Sequence, residues 1–322
     1  MNPPKQRRAS LLLKPLLALP ALLLSGCTMA GIRLFHPAGL VAGAEMHYTL
    51  ILVITMLIII VPTLLMTIIF PLRYHHSRNA KYTPDWHFSL TIELLAWGIP
   101  FAIVAFLCYL TIQGVYAVNP WAPGILANAP GARQPPINVE VIATDWQWVF
   151  VYPDQGIATI DDLVVPSGRV VHLQMTATSN MNGFYIPQVA PMVDAMPAME
   201  SRDAFELDQP ATYTGFSTDF SGAGFSWMQF STRVVPQAEF DSWVASVQAN
   251  PNQLTYAAFQ KIAQPTVNAG AKPAYFSAPD KNLFGEVMTA AMQGVVYPVP
   301  DSFTKRVSDN SAQGAQAPAS PQ

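Results

Sequence analysis

A chain of 322 residues that is 51% hydrophobic and only 11% charged departs from the composition of an ordinary soluble protein and points to a membrane. Its formal net charge of −3, with basic residues sparse outside the first segment and one short connector, gives nucleic acid nothing to bind. Two cysteines and six histidines limit thiolate and imidazole chemistry to a few positions.

The apolar residues fall in three long runs before residue 113, and none follows. The first starts behind Lys5, Arg7, Arg8 and Lys14, passes through a leucine-rich core over residues 16–24 and ends in Leu24-Ser25-Gly26-Cys27. A short apolar core behind positive charge, closed by small residues, reads as a secretory signal rather than a spanning helix. Its ending resembles the bacterial lipoprotein box. That resemblance implies that residues 1–26 are a lipoprotein signal peptide and that Cys27 is lipidated and becomes the mature N-terminus; the plainer alternative is a short helix with a chance cysteine.

Residues 46–70 contain no Asp, Glu, Lys or Arg. As a helix they would extend ~38 Å, enough to cross a hydrocarbon core of ~30 Å, so they are predicted to span the membrane. Residues 88–112 are as apolar apart from the acid Glu93 and are predicted as a second span. Pro62 and Pro100 do not oppose this, because neighbouring helices can satisfy the freed backbone groups. The connector carries Arg73, Arg78 and Lys81 against Asp85. The positive-inside rule therefore places it in the cytoplasm and both flanking regions outside, the side that lipidation of Cys27 also requires. Residues 27–120 thus comprise an N-terminal segment and two spans.

A Pro, Gly and Ala-rich linker over residues 121–136 leads into alternating apolar residues, the mark of half-buried strands. Strand structure is expected near residues 137–152, 169–178, 204–208, 212–217 and 225–235, making residues 137–236 a β-sandwich or barrel. From residue 237 the spacing of Phe240, Trp243, Val244 and Val247 turns helical, and residues 254–262 and 281–292 read as further helices, so residues 237–293 form a helical extension. Residues 294–322, rich in Pro, Ser, Gln and Ala, read as a disordered tail.

The exported part has no cysteine, since Cys108 lies in the second span, and one histidine, His172. A blue-copper, iron–sulfur or structural zinc site needs several thiolates or imidazoles. In RVVHLQMTAT, with apolar neighbours, His172 reads as structural or surface-placed. Gly-x-Ser-x-Gly, P-loop, His-Glu-x-x-His and Rossmann patterns are absent. The adjacent Asp161 and Asp162 read as a solvated turn rather than a catalytic pair.

The segment DWQWVFVYP, residues 145–153, would project Trp146, Trp148, Phe150 and Tyr152 to one face of a strand. Together with the lipoprotein box, two spans and an exported β-domain, it resembles subunit II of the haem-copper oxidases. In members that oxidise cytochrome c, a similar segment receives electrons above a binuclear copper centre; here the rings are expected to pack a core. The copper-bearing loop of that family runs Gly-Gln-Cys-Ser-Glu-x-Cys-Gly-x-x-His-x-x-Met. Residues 213–230, YTGFSTDFSGAGFSWMQF, match its length, with Ser217 and Ser221 at the cysteines, Asp219 at the glutamate, Phe225 at the histidine and Met228 at the methionine. Asn182, in SNMNGFYIP, takes the place of the other histidine.

This pattern is similar to the quinol-oxidising branch, cytochrome bo-type ubiquinol oxidases, whose subunit II lacks the copper centre. The resemblance implies a two-helix transmembrane hairpin, a cupredoxin-like all-β periplasmic domain and a helical C-terminal extension. It implies an accessory subunit of a proton-pumping enzyme that reduces oxygen to water. This chain would hold no cofactor, because subunit I would carry the haems, the copper and the ubiquinol site. Partners would be subunit I, subunits III and IV, and the lipid of the bacterial inner membrane, with the β-domain on the periplasmic side. Glu93, about 8 Å into the second span from its cytoplasmic end, would be a proton entry to subunit I, or an acid that reaches the interface or pairs with a neighbouring base. The competing readings are a copper-containing cytochrome c oxidase subunit, opposed by the missing cysteines, and a stand-alone membrane lipoprotein with a β-sandwich binding module.

Overall fold

The computed structural model describes residues 35–75, 87–119, 124–266, 272–301 and 303. Cys27, the connector residues Arg78, Lys81 and Asp85, and nearly all of the tail lie outside them.

The two apolar runs form helices α1, Leu40–Arg73, and α2, Leu90–Ala117. Each extends beyond its predicted span, and both leave most of their side chains uncovered by the rest of the chain. Helices of that length with exposed Leu, Ile, Val and Phe need a hydrocarbon surrounding. Thr55, Thr63, Thr67 and Thr111 each turn the hydroxyl back onto the carbonyl four residues earlier, so the polar groups in these helices are satisfied internally.

After α2 the linker does not run free. Short 3₁₀ turns, Gly124–Asn128 and Pro130–Arg133, lay it on the β-domain. The Gly131 amide donates to Glu206 Oε1 at 2.6 Å, and the Arg169 guanidinium donates to the Pro135 carbonyl. A Cβ at Gly131 would meet the Gly168 carbonyl at 2.5 Å, so only glycine allows this approach.

The β-domain is a sandwich of two sheets. Its strands are β1 Ile137–Ala143, β2 Trp148–Tyr152, β3 Ile157–Ile160, β4 Asp162–Pro166, β5 Val170–Ala177, β6 Asn182–Ile186, β7 Ala190–Ala195, β8 Ser201–Glu206, β9 Ala211–Ser217, β10 Gln229–Val235 and β11 Ala274–Ser277. The first sheet has the order β11-β3-β2-β1-β5-β8 and the second β4-β10-β9-β6-β7. β1 with β5 and β4 with β10 pair in parallel, and the other pairs are antiparallel. With the helical hairpin before it and helices after it, this is the architecture expected from the sequence, a cupredoxin-like β-domain on a membrane hairpin. The expected strand over residues 225–235 starts later, because residues 225–227 close a 3₁₀ turn.

Between the sheets lies a core built around Trp148, Phe150, Tyr152, Phe184 and Phe230. Their rings interlock, with Phe184 stacked on Phe230 at 4.9 Å between centroids and edge-on to Trp148 at 5.2 Å. The expectation that these aromatics pack a core holds for the strand residues. Trp146 differs in that it precedes β2, on the turn where the Thr144 amide and hydroxyl both donate to the Gln147 carbonyl.

Helices α3, Gln237–Gln248, α4, Tyr256–Ile262, and α5, Leu283–Met292, follow, with β11 between the last two. They cover the other face of the first sheet. Ile142, Val149, Val151, Ala158 and Ile160 point away from the sandwich and meet Leu254, Phe259, Leu283, Phe284 and Val287 in a second core. Strands β2 and β3 are therefore buried on both faces.

Asp162 is a correction to the reading of Asp161 and Asp162 as a solvated pair. It is 1% exposed, at the start of β4. Its carboxylate takes a two-pronged ion pair from Arg233 of β10, at 3.0 and 2.7 Å, and a hydrogen bond from the Tyr275 hydroxyl of β11 at 2.8 Å. Asp161 takes φ +57° and accepts the Trp148 amide at 2.7 Å through Oδ1. The residues between β3 and β4 are too few to lift either acid into solvent.

Candidate functional site

The loop after β9 begins and ends at neighbouring points. β9 and β10 pair from Phe216 opposite Gln229, and the Ser217 amide donates to the Met228 carbonyl at 3.1 Å. β6 lies on the other side of β9 with Phe184 opposite Ser217, and the Thr218 amide donates to the Gly183 carbonyl at 3.0 Å. These pairings bring three predicted positions to one buried spot. Asn182, Ser217 and Met228 are all buried there, and the Ser217 hydroxyl donates to Asn182 Oδ1 at 3.3 Å. The Asn182 amide in turn donates to the Asn180 carbonyl at 3.0 Å.

Other positions are held apart. Ser221 faces Trp146, whose indole N–H is shared between the Ser221 hydroxyl at 3.1 Å and its carbonyl at 3.2 Å. Gly222, at φ +126°, and Gly224 lie flat under the same indole, and a Cβ at Gly222 would come within 2.6 Å of the ring. Phe225 is half-buried against the inner core and edge-on to the exposed Phe220 at 5.7 Å. Asp219 is half-buried with Oδ2 sealed from solvent and without a hydrogen bond; burial first, and then the neighbouring Asp194 carboxylate, push its carboxyl upward. A hydroxyl, an amide and a thioether are what the converging positions offer. Copper favours thiolate and imidazole, so this donor set does not fit it.

Glu93 occupies the first turn of α2, where an acid suits the helix dipole, and it lines a shallow recess of about 240 Å³ with His87, Phe88 and Ile92. It is exposed on this chain. His172 is exposed on the outer side of β5, where partial burial and then the Arg202 charge lower its tendency to take a proton, and it lines a broad surface cavity of about 480 Å³.

Sequence reasoning missed two groups. The Asp162, Arg233 and Tyr275 network could have been suspected from the apolar run behind Asp162, which marks a strand, and from a lone arginine in another, STRVV. Asp203 on β8 is fully buried with Oδ2 unpartnered, and nothing in SRDAF signals that.

The family model described as COX Aromatic Rich Motif matches residues 248–294, the segment from the end of α3 through α5 that builds the second core. The chain is 34% identical over 278 residues to cytochrome bo(3) ubiquinol oxidase subunit 2 of Pseudomonas aeruginosa, covering 86% of this chain and 81% of that one. It is 34% identical over 277 residues to ubiquinol oxidase subunit 2 of Acetobacter aceti, covering 86% and 87%. Among solved structures, the periplasmic domain of subunit II of cytochrome oxidase from Bradyrhizobium japonicum is 24% identical over 34% of this chain and 91% of that domain, with a TM-score of 0.33.

Proposed function

The chain belongs to the ubiquinol oxidase subunit 2 family, and we propose that it is the copper-free accessory subunit of a proton-pumping oxidase in the bacterial inner membrane. The observation that carries this reading is the spot where Asn182, Ser217 and Met228 meet: a loop of copper-site length closed by the strand pairing such a site needs, with no thiolate or imidazole among its side chains. Ubiquinol is soluble in the membrane and can deliver electrons directly to a haem in subunit I, so a copper relay on the aqueous side has no task. The haems, the oxygen-reducing copper and the ubiquinol site then belong to subunit I, with subunits III and IV completing the complex.

Within that complex the hairpin anchors the chain beside subunit I and the β-domain caps its periplasmic face. Cys27 is the lipidated mature N-terminus. Mass spectrometry of the purified subunit should find a chain beginning at Cys27 with a lipid thioether, and an unmodified chain retaining Met1 would refute this. Because two spans already hold the protein, Cys27→Ser should impair processing more than membrane attachment.

Glu93 receives protons from the cytoplasm for subunit I. Its place at the start of a membrane-spanning helix, in a recess open to the outside of the chain, supports that role. Glu93→Ala should slow steady-state quinol oxidation, by tenfold or so if it stands in for a proton-transfer group at the lower end of such effects, with haem content and assembly unchanged. Wild-type turnover in an assembled variant would overturn the proton role, and failed assembly would assign Glu93 to a contact with a neighbouring subunit. The wider reading is tested by purifying the intact complex: it should carry haem and oxidise ubiquinol, whereas a stand-alone lipoprotein would leave detergent extracts without haem-bearing partners.

A further inference from the structure

Where α1 meets the β-domain, two acids lie together with no base acting on them. Asp203, 3% exposed, shares the inner face of its sheet with its cross-strand neighbour Leu173. Oδ1 accepts the Ala204 amide at 2.8 Å, while Oδ2 is buried without a partner. The charge acting on it is that of Glu45, in the second turn of α1, which also acts on the Tyr185 phenol of β6. α1 packs on β7 and β8 at this joint.

Glu45 also stands at one end of a cleft of about 310 Å³ between α1 and α2, walled by Leu52, Leu110, Val115, Val118 and Pro191 of β7. No lysine, arginine or histidine lines it. The cleft begins at the end of the hairpin nearest the β-domain and runs along apolar helix faces that need hydrocarbon around them. A slot of that form, apolar along its length and anionic at its aqueous end, complements an amphiphile with an alkyl chain and a cationic head.

We propose that this cleft binds one phospholipid with a primary ammonium head, of the phosphatidylethanolamine kind, its acyl chain between α1 and α2 and its ammonium on the Glu45 carboxylate. The proposal rests on the membrane placement proposed above. It also accounts for Asp203, whose carboxyl burial pushes up to about 7, with the Ala204 amide opposing and Glu45 adding to the rise. An ammonium at Glu45 supplies the missing positive charge and favours the ionised form of Asp203. A lipid with a net negative head brings no donor of that kind and is repelled by both acids.

The test is lipid retention by the intact complex, stripped of lipid in detergent, exposed to phosphatidylethanolamine or phosphatidylglycerol and read by native mass spectrometry. The wild type should hold a phosphatidylethanolamine that Glu45→Gln binds about tenfold more weakly, the loss expected for one charge-assisted hydrogen bond. Phosphatidylglycerol should be held poorly by both. Val118→Trp, which fills the cleft and leaves Glu45 in place, should lose the lipid as well and serves if Glu45→Gln does not assemble. Equal retention in all three proteins, or phosphatidylglycerol held as well as phosphatidylethanolamine, overturns the site; a cleft covered by a partner helix would give the first of these results. Absence of haem-bearing partners would instead count against the oxidase reading, and the comparison of lipids could still be made on the chain alone.

Discussion

Asp162→Ala is expected to destabilise the β-domain by about 3 kcal/mol, because it leaves the Arg233 guanidinium unpaired beside a buried position and strips the Tyr275 hydroxyl of its acceptor. Asp162 joins three strands. It starts β4, takes its ion pair from β10 of the same sheet and its hydrogen bond from β11, which belongs to the opposite sheet. Burial and then the hydrogen bond to Asp162 push the Tyr275 phenol up to about 12, so it remains a donor throughout the ordinary pH range. For a domain of this size such a loss lowers the unfolding temperature by roughly 10 °C, measurable by circular dichroism of the purified chain in detergent. Tyr275→Phe should cost about 1 kcal/mol, one hydrogen bond. The double variant Asp162→Leu with Arg233→Met separates pairing from packing, since replacing both members of a buried pair by apolar groups is often neutral. A double variant as unstable as Asp162→Ala would show that the strands are joined by packing rather than by charge.

That network also shows what the sequence could and could not disclose. The helical hairpin was legible because two uninterrupted apolar runs have few other meanings. The aromatic strand was legible from its alternation, but the alternation was followed one residue pair too far: Trp146 keeps the period of Trp148 and Phe150 while the backbone has already turned at Thr144. β3 and β4 were missed because Asp161 and Asp162 look like a break between strands. In the structure one acid sits in the tight connection, satisfying a backbone amide, and the other is consumed inside by an arginine 71 residues later. Such long-range pairing leaves no local pattern.

The C-terminal extension was read as helical, which is correct for α3, α4 and α5 but overlooks β11. Four residues, AYFS, are too few for a period to register. Their role appears only in three dimensions, where β11 adds an edge to the first sheet and its neighbours close the second core. The convergence of Asn182, Ser217 and Met228 was more legible, since loop length and flanking strands carry over from a family pattern even when the ligands do not. What the pattern could not supply is that Asp194, from β7, crowds Asp219 in the same loop.

The strongest test of that loop is to return its ligands. Ser217→Cys, Asp219→Glu, Ser221→Cys, Phe225→His and Asn182→His together would present two thiolates, two imidazoles and the existing Met228 thioether, the soft N/S set that copper favours. The backbone supports the change. Ser217 and Asn182 are already in contact at 3.3 Å, so a thiolate and an imidazole there would start as neighbours. Ser221 is held by Trp146 partly through its carbonyl, at 3.2 Å, and that bond survives the loss of the hydroxyl. Phe225 is only half-buried, so exchanging it for imidazole should cost less than the ~3 kcal/mol of truncating a fully buried ring. The main opposition comes from Asp219→Glu, which adds a methylene beside Asp194 where Asp219 Oδ2 is already sealed from solvent; retaining Asp219 in a four-fold variant tests that separately. The grafted chain should unfold at lower temperature than the wild type, yet take up a pair of coppers and show thiolate-to-copper absorption in the visible range, while the unmodified chain stays colourless. A folded graft that binds no copper, or a single ion without that absorption, would show that the loop from Tyr213 to Phe230 shares the length of a copper loop without sharing its backbone path.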